Sequence, residues 1–229
     1  MGRGRFAELN QQIVQCDRCP RLRAYCEAVG RAKRRAYREW DYWARPVPNL
    51  GDPRARLLLV GLAPAAHGAN RTGRLFTGDR SGDWLYRALH RAGFASQPDS
   101  TSRDDGLRLR DCAITAICHC APPANRPTTD EQTACRDWLR ETLEIVPARV
   151  CVALGRIAWD GLGRALTSVG RSSARLPAFQ HGLEVEAAPG FWVLGCYHTS
   201  PRNTFTGRLT EPMLDAVFAR ARQRLDDAR

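Results

Sequence analysis

Four short apolar runs alternate with helical patterns along most of the chain, and this alternation predicts an α/β fold. The runs cover residues 56–63, 111–120, 149–154 and 191–197. Short, nearly continuous apolar runs are typical of strands buried on both faces of a parallel sheet. Strands separated by helices imply right-handed βαβ units. We therefore predict a three-layer α/β/α domain with a central, mainly parallel four-stranded sheet.

The helices between these strands are indicated by apolar faces and by capping residues. Residues 84–89 and 135–143 carry apolar side chains at helical spacing, and 157–166 forms another short helical pattern. The sequence Thr129-Asp130-Glu131-Gln132 predicts a capping box. In the C-terminal segment, Thr210 is a plausible N-cap with Pro212 in the first turn. The whole chain, 1–229, is predicted to be one domain.

The N-terminal segment, 1–50, is predicted to be helical and basic, and it ends at Pro46 and Pro48. Within it, a basic run at 31–38 is either a solvated face or a phosphate contact. The formal net charge of the chain is +11, and Lys33 is its one lysine. This charge reflects either a genomic bias towards arginine or a polyanionic partner that attracts basic side chains.

Several classes of protein lose support from the sequence. The longest apolar run, 57–66, is too short to span a bilayer and contains Pro64. The first ten residues lack the apolar core of a signal peptide, so we expect a cytoplasmic protein without membrane contacts. A Walker A loop and a Gly-x-Gly-x-x-Gly motif are both missing from the sequence, which disfavours an NTPase or a nicotinamide enzyme.

Nine cysteines suggest a metal centre rather than a disulfide framework, because the count is odd and no signal peptide is present. Cys16 and Cys19 form a C-x₂-C pair, and Cys120 and Cys135 are separated by fourteen residues. These four thiolates could bind either zinc or an iron–sulfur cluster. The alternative, small buried apolar residues, suits the cysteines that lie in strand runs, namely Cys112, Cys118, Cys151 and Cys196.

Two polar loops follow the first and last predicted strands, at the edge of the sheet where ligands bind in such folds. The first runs from Gly61 to Asp79 and is rich in glycine, small side chains and donors, so that backbone can approach a ligand closely. The second, 198–210, combines hydroxyls, an amide and two guanidiniums, which suit phosphate contacts. His198 at its start is either a structural hydrogen-bonding group or a catalyst.

These segments together resemble the uracil-DNA glycosylase superfamily, specifically its type B, or family 5, enzymes. The matching pieces are Cys16-x-x-Cys19, Arg45-Pro46-Val47-Pro48 with Gly51-Asp52-Pro53, Gly61-Leu62-Ala63-Pro64-Ala65 through Thr77-Gly78-Asp79, 120–128 with Cys135, and 198–210. The resemblance implies a central parallel sheet flanked by helices. It also implies a structural [4Fe–4S] cluster whose ligands would be Cys16, Cys19, Cys120 and Cys135, with Cys118 as a nearby competitor.

The resemblance further implies an enzyme that removes uracil from double-stranded DNA by hydrolysing the bond between base and sugar, which starts base excision repair. Type B enzymes are similar in chemistry but broader in substrate, so hypoxanthine and other deaminated or modified bases are expected as well. Ala63 and Ala116 stand where related families place a polar residue and an asparagine. Loss of the asparagine should relax base choice.

The expected roles of the site residues follow from this resemblance. Asp79 positions or activates water, or else only caps the helix that begins at Arg80. His198 faces the base carbonyl, and Asn203 either orients the base or holds its loop. Phe76 either stacks on the base or belongs to the core, and Asn70 contacts the base edge or water. Gly61, Ala63 and Pro64, at the start of the same loop, are expected to contact the base as well. The candidate phosphate contacts are Arg71, Arg74, Ser200, Arg202 and Arg208.

Two alternatives remain at the level of the sequence. A non-catalytic DNA-binding protein could keep the fold and the cluster and recognise damaged DNA, which the apolar Ala63 and Ala116 would suit. A related glycosylase that becomes covalently trapped on DNA would need a nucleophilic histidine in a basic insert, and His67 stands in the first loop without such an insert. A monomer is expected because one surface must face DNA.

Overall fold

The fold was described from a computed structural model, which describes residues 2–172 and 174–227. The helices are α1 Gly2–Val14, α2 Pro20–Ala32, α3 Ala69–Thr72, α4 Arg80–Arg91, α5 Thr129–Ile145, α6 Arg156–Ser168, α7 Pro201–Phe205 and α8 Glu211–Asp227. The strands are β1 Leu50–Gly51, β2 Leu57–Gly61, β3 Cys112–Ala116, β4 Val150–Leu154, β5 Glu184–Ala188 and β6 Phe191–Cys196. Short 3₁₀ turns cover Arg35–Tyr37 and Pro123–Asn125.

The four predicted strands form the parallel centre of one sheet, in the order β3-β2-β4-β6. The sheet has six strands rather than the predicted four, because β1 and β5 add antiparallel edges to β3 and β6. These edge strands escaped prediction for physical reasons. β1 has only two residues, and β5 is half exposed instead of continuously apolar.

Helices cover both faces of the sheet, which confirms the three-layer architecture. Alternate residues of each central strand point to opposite faces, so Leu57 and Leu59 join one core while Leu58 and Val60 join the other. The first core packs against α4 and α8, and the second packs against α1, α5 and α6. No helix among residues 2–172 and 174–227 combines the length and the apolar character that crossing a bilayer requires.

The predicted capping box lies one residue earlier than expected. Thr128, not Thr129, caps α5: its hydroxyl accepts a hydrogen bond from the Glu131 backbone N–H, and the Glu131 carboxylate accepts one from the Thr128 N–H. At the other predicted N-cap, the Thr210 hydroxyl accepts a 3.4 Å hydrogen bond from the Met213 backbone N–H. Thr210 therefore marks the start of α8 as the sequence indicated.

Candidate functional site

A pocket opens at the carboxyl ends of β2, β3 and β6, where the topology of a parallel sheet favours ligand sites. Gly61 and Ala116 end β2 and β3, and His198 follows β6 by two residues. This pocket is called the base pocket below. Its lining residues are Gly61, Ala63, Pro64, Ala65, Ala69, Leu75, Phe76, Asp79, Ser81, Ala116 and His198.

Phe76 is held in the base pocket by two close backbone approaches. A Cβ built on Gly61 would lie 2.9 Å from the Phe76 Cζ atom, so the ring rests on bare backbone at the end of β2. A Cβ built on Gly82 would lie 1.8 Å from the Phe76 carbonyl oxygen, so only glycine fits in the first turn of α4. Phe76 itself adopts a φ of 52°, which fixes the turn that presents its ring. The ring centroid lies 6.0 Å from that of His198.

Asp79 caps a helix and also lines the base pocket, which is compatible with both roles that the sequence left open. It is the N-cap of α4, and its Oδ1 accepts a 3.0 Å hydrogen bond from the Gly82 backbone N–H. Its Oδ2 packs against Gly68, where a Cβ would lie 1.9 Å away. Burial raises the pKa of Asp79, although the backbone hydrogen bonds from Gly82 and Ser81 oppose this shift. The residue therefore caps a helix and also brings a half-buried carboxylate to the base pocket.

His198 brings a neutral imidazole to the same pocket. Burial lowers its pKa to about 4, because the charged ring would lose its hydration there. Among the described residues, neither ring nitrogen has a hydrogen-bond partner, so both are available to a ligand. Asn203 does not line the base pocket; its Nδ2 donates a 2.8 Å hydrogen bond to the His198 carbonyl. Asn203 thus holds the loop that carries His198.

Two arginines of the first loop, Arg74 and Arg71, point into the protein and not towards solvent, where a phosphate contact would require them. Arg74 is 6% exposed; its guanidinium bonds Asp105 at 2.5 Å and also the Thr77 and Ser100 hydroxyls. Arg71, 3% exposed, is stacked between the rings of Tyr37 and Trp40. Neither guanidinium faces solvent, so their assignment as phosphate contacts is corrected to a role in holding the loop.

Asn70 is also directed into the protein interior. Its side chain is fully buried, and Nδ2 lies 3.3 Å from the Cys26 carbonyl of α2 and 3.4 Å from the Ala66 carbonyl. Its predicted contact with a base edge is therefore corrected to an anchor between the loop and α2. His67 does not line the pocket, and its Nδ1 lies 3.0 Å from the Tyr42 hydroxyl. This placement gives the trapped-nucleophile alternative no support.

A second cleft, called the loop cleft below, adjoins the base pocket and shares His198 with it. It lies between the start of α6 and the second polar loop, and it is lined by Arg156, Ile157, Tyr197, Arg202, Asn203 and Arg208, among others. Arg202 is exposed, and Ser200 caps α7, where its hydroxyl accepts a hydrogen bond from the Asn203 N–H. For both residues the phosphate contact stays a prediction. Arg208 lies over the Tyr197 ring, 4.6 Å from its centroid.

Sequence reasoning missed two exposed features beside these pockets. Phe205, at the end of α7, is 68% exposed, and the Arg80 guanidinium lies 4.2 Å from its ring centroid. Arg156 and Ile157 are exposed at the first turn of α6. Phe205 could have been noticed in the sequence, because it is an aromatic residue among the polar residues of the second loop. Nothing in the sequence around Arg156 distinguishes it from the many other arginines.

The four cysteines of the predicted quartet line one pocket, called the cysteine pocket below. Cys16 follows α1, Cys19 precedes α2, Cys120 lies after β3 and Cys135 lies in α5. Burial together with the neighbouring Cys135 and Cys16 thiols raises the pKa of Cys19 to about 11, which reflects how close these groups are. The competitor Cys118 does not line the pocket, but its thiol is hydrogen-bonded to that of Cys135 and therefore lies directly beside the quartet. Folding therefore brings together residues that are up to 119 positions apart.

The surroundings of the cysteine pocket are basic and well anchored. Arg18 and Arg23 line it, and Arg21 of α2 donates two 2.7 Å hydrogen bonds to Glu131 of α5. Within the two described ranges, no group of three or more His, Cys, Asp or Glu side chains is gathered closely enough to hold a single metal ion.

The chain is similar to known proteins over nearly its whole length. The family model described as "Uracil DNA glycosylase superfamily" matches residues 48–222. The type-5 uracil-DNA glycosylase of Mycobacterium tuberculosis is 51% identical over 224 residues, covering 97% of this chain and 82% of the relative. Proteins of the same name from Pyrobaculum aerophilum and Thermus thermophilus are each 49% identical, over 96% and 93% of this chain and 93% and 95% of their own lengths.

Proposed function

The chain belongs to the uracil-DNA glycosylase superfamily, and from this membership we propose that it excises uracil from DNA by hydrolysing the bond between base and sugar. The observation that carries the proposal is the base pocket, which brings the Asp79 carboxylate, the Phe76 ring and the neutral His198 together beside a cleft lined by arginines. The type-5 names of relatives about half identical over nearly the whole chain support the same reaction.

The surface around the pocket suits a flipped nucleotide. A base inside a duplex cannot reach the pocket, so it must leave the stack at a cost of a few kcal/mol. The loop cleft offers Arg202 and Arg208 to the phosphates that follow the flipped base. Phe205 is exposed enough to enter the gap that the base leaves, as apolar wedges do in DNA-bending proteins.

The residues of the pocket meet the charges that develop as the bond breaks. Positive charge grows on the sugar, where the ionised Asp79 can stabilise it or activate the attacking water. Negative charge grows on the departing base, where a neutral N–H of His198 can donate a hydrogen bond. Phe76 offers its face to the base, and stacking of this kind tolerates different bases.

A broad choice of bases follows from the apolar floor of the pocket. Ala63 and Ala116 both line it, and neither side chain offers a hydrogen bond. A pocket that holds a buried amide rejects bases that lack complementary groups, since the amide would then be left unpaired. Without such an amide the penalty disappears, so we infer that hypoxanthine and other deaminated bases are excised as well as uracil.

The function is tested by incubating the protein with duplexes that carry one uracil or one hypoxanthine. Release of the base leaves an alkali-labile abasic site, which a denaturing gel detects as strand cleavage. We expect product from both duplexes and none from an undamaged one. Binding without product would instead identify the non-catalytic DNA-binding alternative, and product from uracil alone would remove the inference about base choice.

We also propose that the cysteine pocket holds a structural [4Fe–4S] cluster, with Cys16, Cys19, Cys120 and Cys135 as ligands. Such clusters take four thiolates, and all four of these cysteines line one pocket. The choice of a cluster over a zinc ion follows the resemblance to the type B enzymes. The cluster would supply no step of the hydrolysis. Its role would be to join the N-terminal segment to α5 and to the loop after β3.

Cys135→Ala is expected to abolish the cluster, whereas the matched variant Cys151→Ala is expected to keep it. Cys151 lies fully buried within β4 and does not line the cysteine pocket. The purified wild-type protein should be brown and contain about four iron atoms per chain, and Cys135→Ala should be colourless and less stable to heat. A colourless wild-type protein with one zinc, or a brown Cys135→Ala protein, would refute this assignment.

A further inference from the structure

The loop cleft does not end at α6 but continues along it. Ile157, 38% exposed, lines the loop cleft and also a second depression between α5 and α6. This depression, called the α5–α6 cleft below, is lined besides Ile157 by Thr129, Gln132, Thr133, Arg136, Asp160 and Arg164. A third depression shares Arg136, Asp160 and Arg164 with it and adds Arg175. A continuous path therefore leads from His198 to the far part of α6.

The arginines along this path are less compensated by carboxylates than those on the outer face of α4. Among the described residues, Arg156, Arg164 and Arg175 have no ion-pair or hydrogen-bond partner, and Arg136 bonds only the Thr133 hydroxyl. Asp160 is the one carboxylate among the residues that line these three depressions. By contrast, Arg87 and Arg91 of α4 are paired with Glu211 and Asp215 of α8. Positive charge is thus left uncompensated along the path.

We propose that the α5–α6 cleft binds backbone phosphates of the DNA that flanks the flipped nucleotide. The inference rests on the proposed function, and it adds a binding surface outside the base pocket. Unpaired guanidiniums bind phosphates through charge-assisted hydrogen bonds, and the neutral donors Thr129, Gln132 and Thr133 can fix the backbone without reading its sequence.

The dimensions agree with a short stretch of DNA. Arg156 and Arg164 are eight residues apart on α6, which is about 12 Å at 1.5 Å per residue. At a rise of 3.4 Å for each nucleotide of a strand, this span corresponds to about three to four nucleotides. An acidic protein segment could also meet these arginines. DNA is favoured because the path begins at the base pocket, where the damaged strand must already lie.

The test compares two double variants that remove the same charge. Arg136→Gln/Arg164→Gln removes two unpaired arginines of the cleft, and Arg87→Gln/Arg91→Gln removes two paired ones on α4. Binding of a duplex of about three helical turns with a central abasic-site analogue is measured over a range of salt concentrations. We expect the cleft variant to lower the slope of log affinity against log salt by about two relative to the α4 variant.

Duplex length supplies the second readout. The difference between the two variants should vanish when the flank on one side of the abasic analogue is shortened, and persist when the other flank is shortened. The proposal would be overturned if both variants had equal slopes of log affinity against log salt on every duplex. It would also be overturned if the cleft variant bound DNA as the α4 variant does and lost only the binding of a polyglutamate peptide. A wild-type protein that releases no uracil would refute the proposed function instead, and the salt slopes report on DNA binding independently of that result.

Discussion

Replacing Asp79 by asparagine is expected to slow uracil release by about 10²–10⁴-fold, the range for a group that assists proton transfer. The change separates the two roles of this residue. Asparagine is as good an N-cap as aspartate, so its Oδ1 can still accept from the Gly82 N–H and keep α4 in place. It cannot carry the negative charge that the sugar or the attacking water needs.

The measurement is the single-turnover rate on a uracil duplex, together with the thermal unfolding midpoint. Thr128→Asn is the matched control, because it exchanges the N-cap of α5 outside the base pocket. Both variants should unfold near the wild-type temperature, and only Asp79→Asn should be slow. If Asp79→Asn releases uracil at the rate of the control, the carboxylate is a helix cap and nothing more.

The decrease in wild-type activity at acidic pH is also expected to depend on Asp79. Burial raises the pKa of Asp79 above its usual value of about 3.9. The carboxylate is active when ionised, so activity that depends on it is present above this raised pKa and is lost as the pH falls through it. The loss should begin at a higher pH than for an exposed aspartate, and Asp79→Asn should lack this decrease.

Replacing His198 by alanine is expected to lower the rate by about 10²–10³-fold, the cost of removing one donor to a developing oxyanion. Because burial lowers the pKa of His198 to about 4, the ring is predominantly neutral from about pH 5 upwards. An exposed histidine would change charge near pH 6.5. The contribution of His198 should therefore be constant between about pH 5 and 8, so that the ratio of wild-type to variant rates does not vary over this range.

Single-turnover rates across this pH range check the expectation, with His90→Ala as the control. His90 is exposed in the last turn of α4 and lies outside the base pocket. A rate ratio that steps near pH 6.5 would show that His198 works as a charged imidazolium. A His198→Ala rate close to that of the control would exclude the residue from catalysis.

The sequence predicted those parts of the fold that depend on residues close to one another in the chain. The four central strands are buried on both faces, so their apolar runs stood out and each was located within a few residues. The capping box was misplaced because 128–132 contains two overlapping versions, one ending in Glu131 and the other in Gln132. The structure selects Glu131 because its carboxylate also accepts two hydrogen bonds from Arg21, which lies 110 residues earlier.

The sequence located the loop that lines the candidate site. It did not show which way the arginine side chains of this loop point, because their orientation depends on residues far away in the sequence. Glycine, proline and a final aspartate indicated the first loop, and the structure gathers Gly61, Phe76 and Asp79 around one pocket. Whether an arginine faces solvent depends on what the fold brings to it. Arg74 meets Asp105, and Arg71 enters a stack of two rings, so neither is free. Thirty-four arginines with similar sequence contexts gave no means of ranking them.

Asn70 connects the N-terminal segment to the loop that lines the base pocket. One amide group joins the Cys26 carbonyl in the middle of α2 to the loop that presents Phe76 and Asp79. The same helix begins directly after Cys19. A displacement of α2 at its Cys19 end can therefore shift the loop that carries Phe76 and Asp79, although no group in the base pocket is altered.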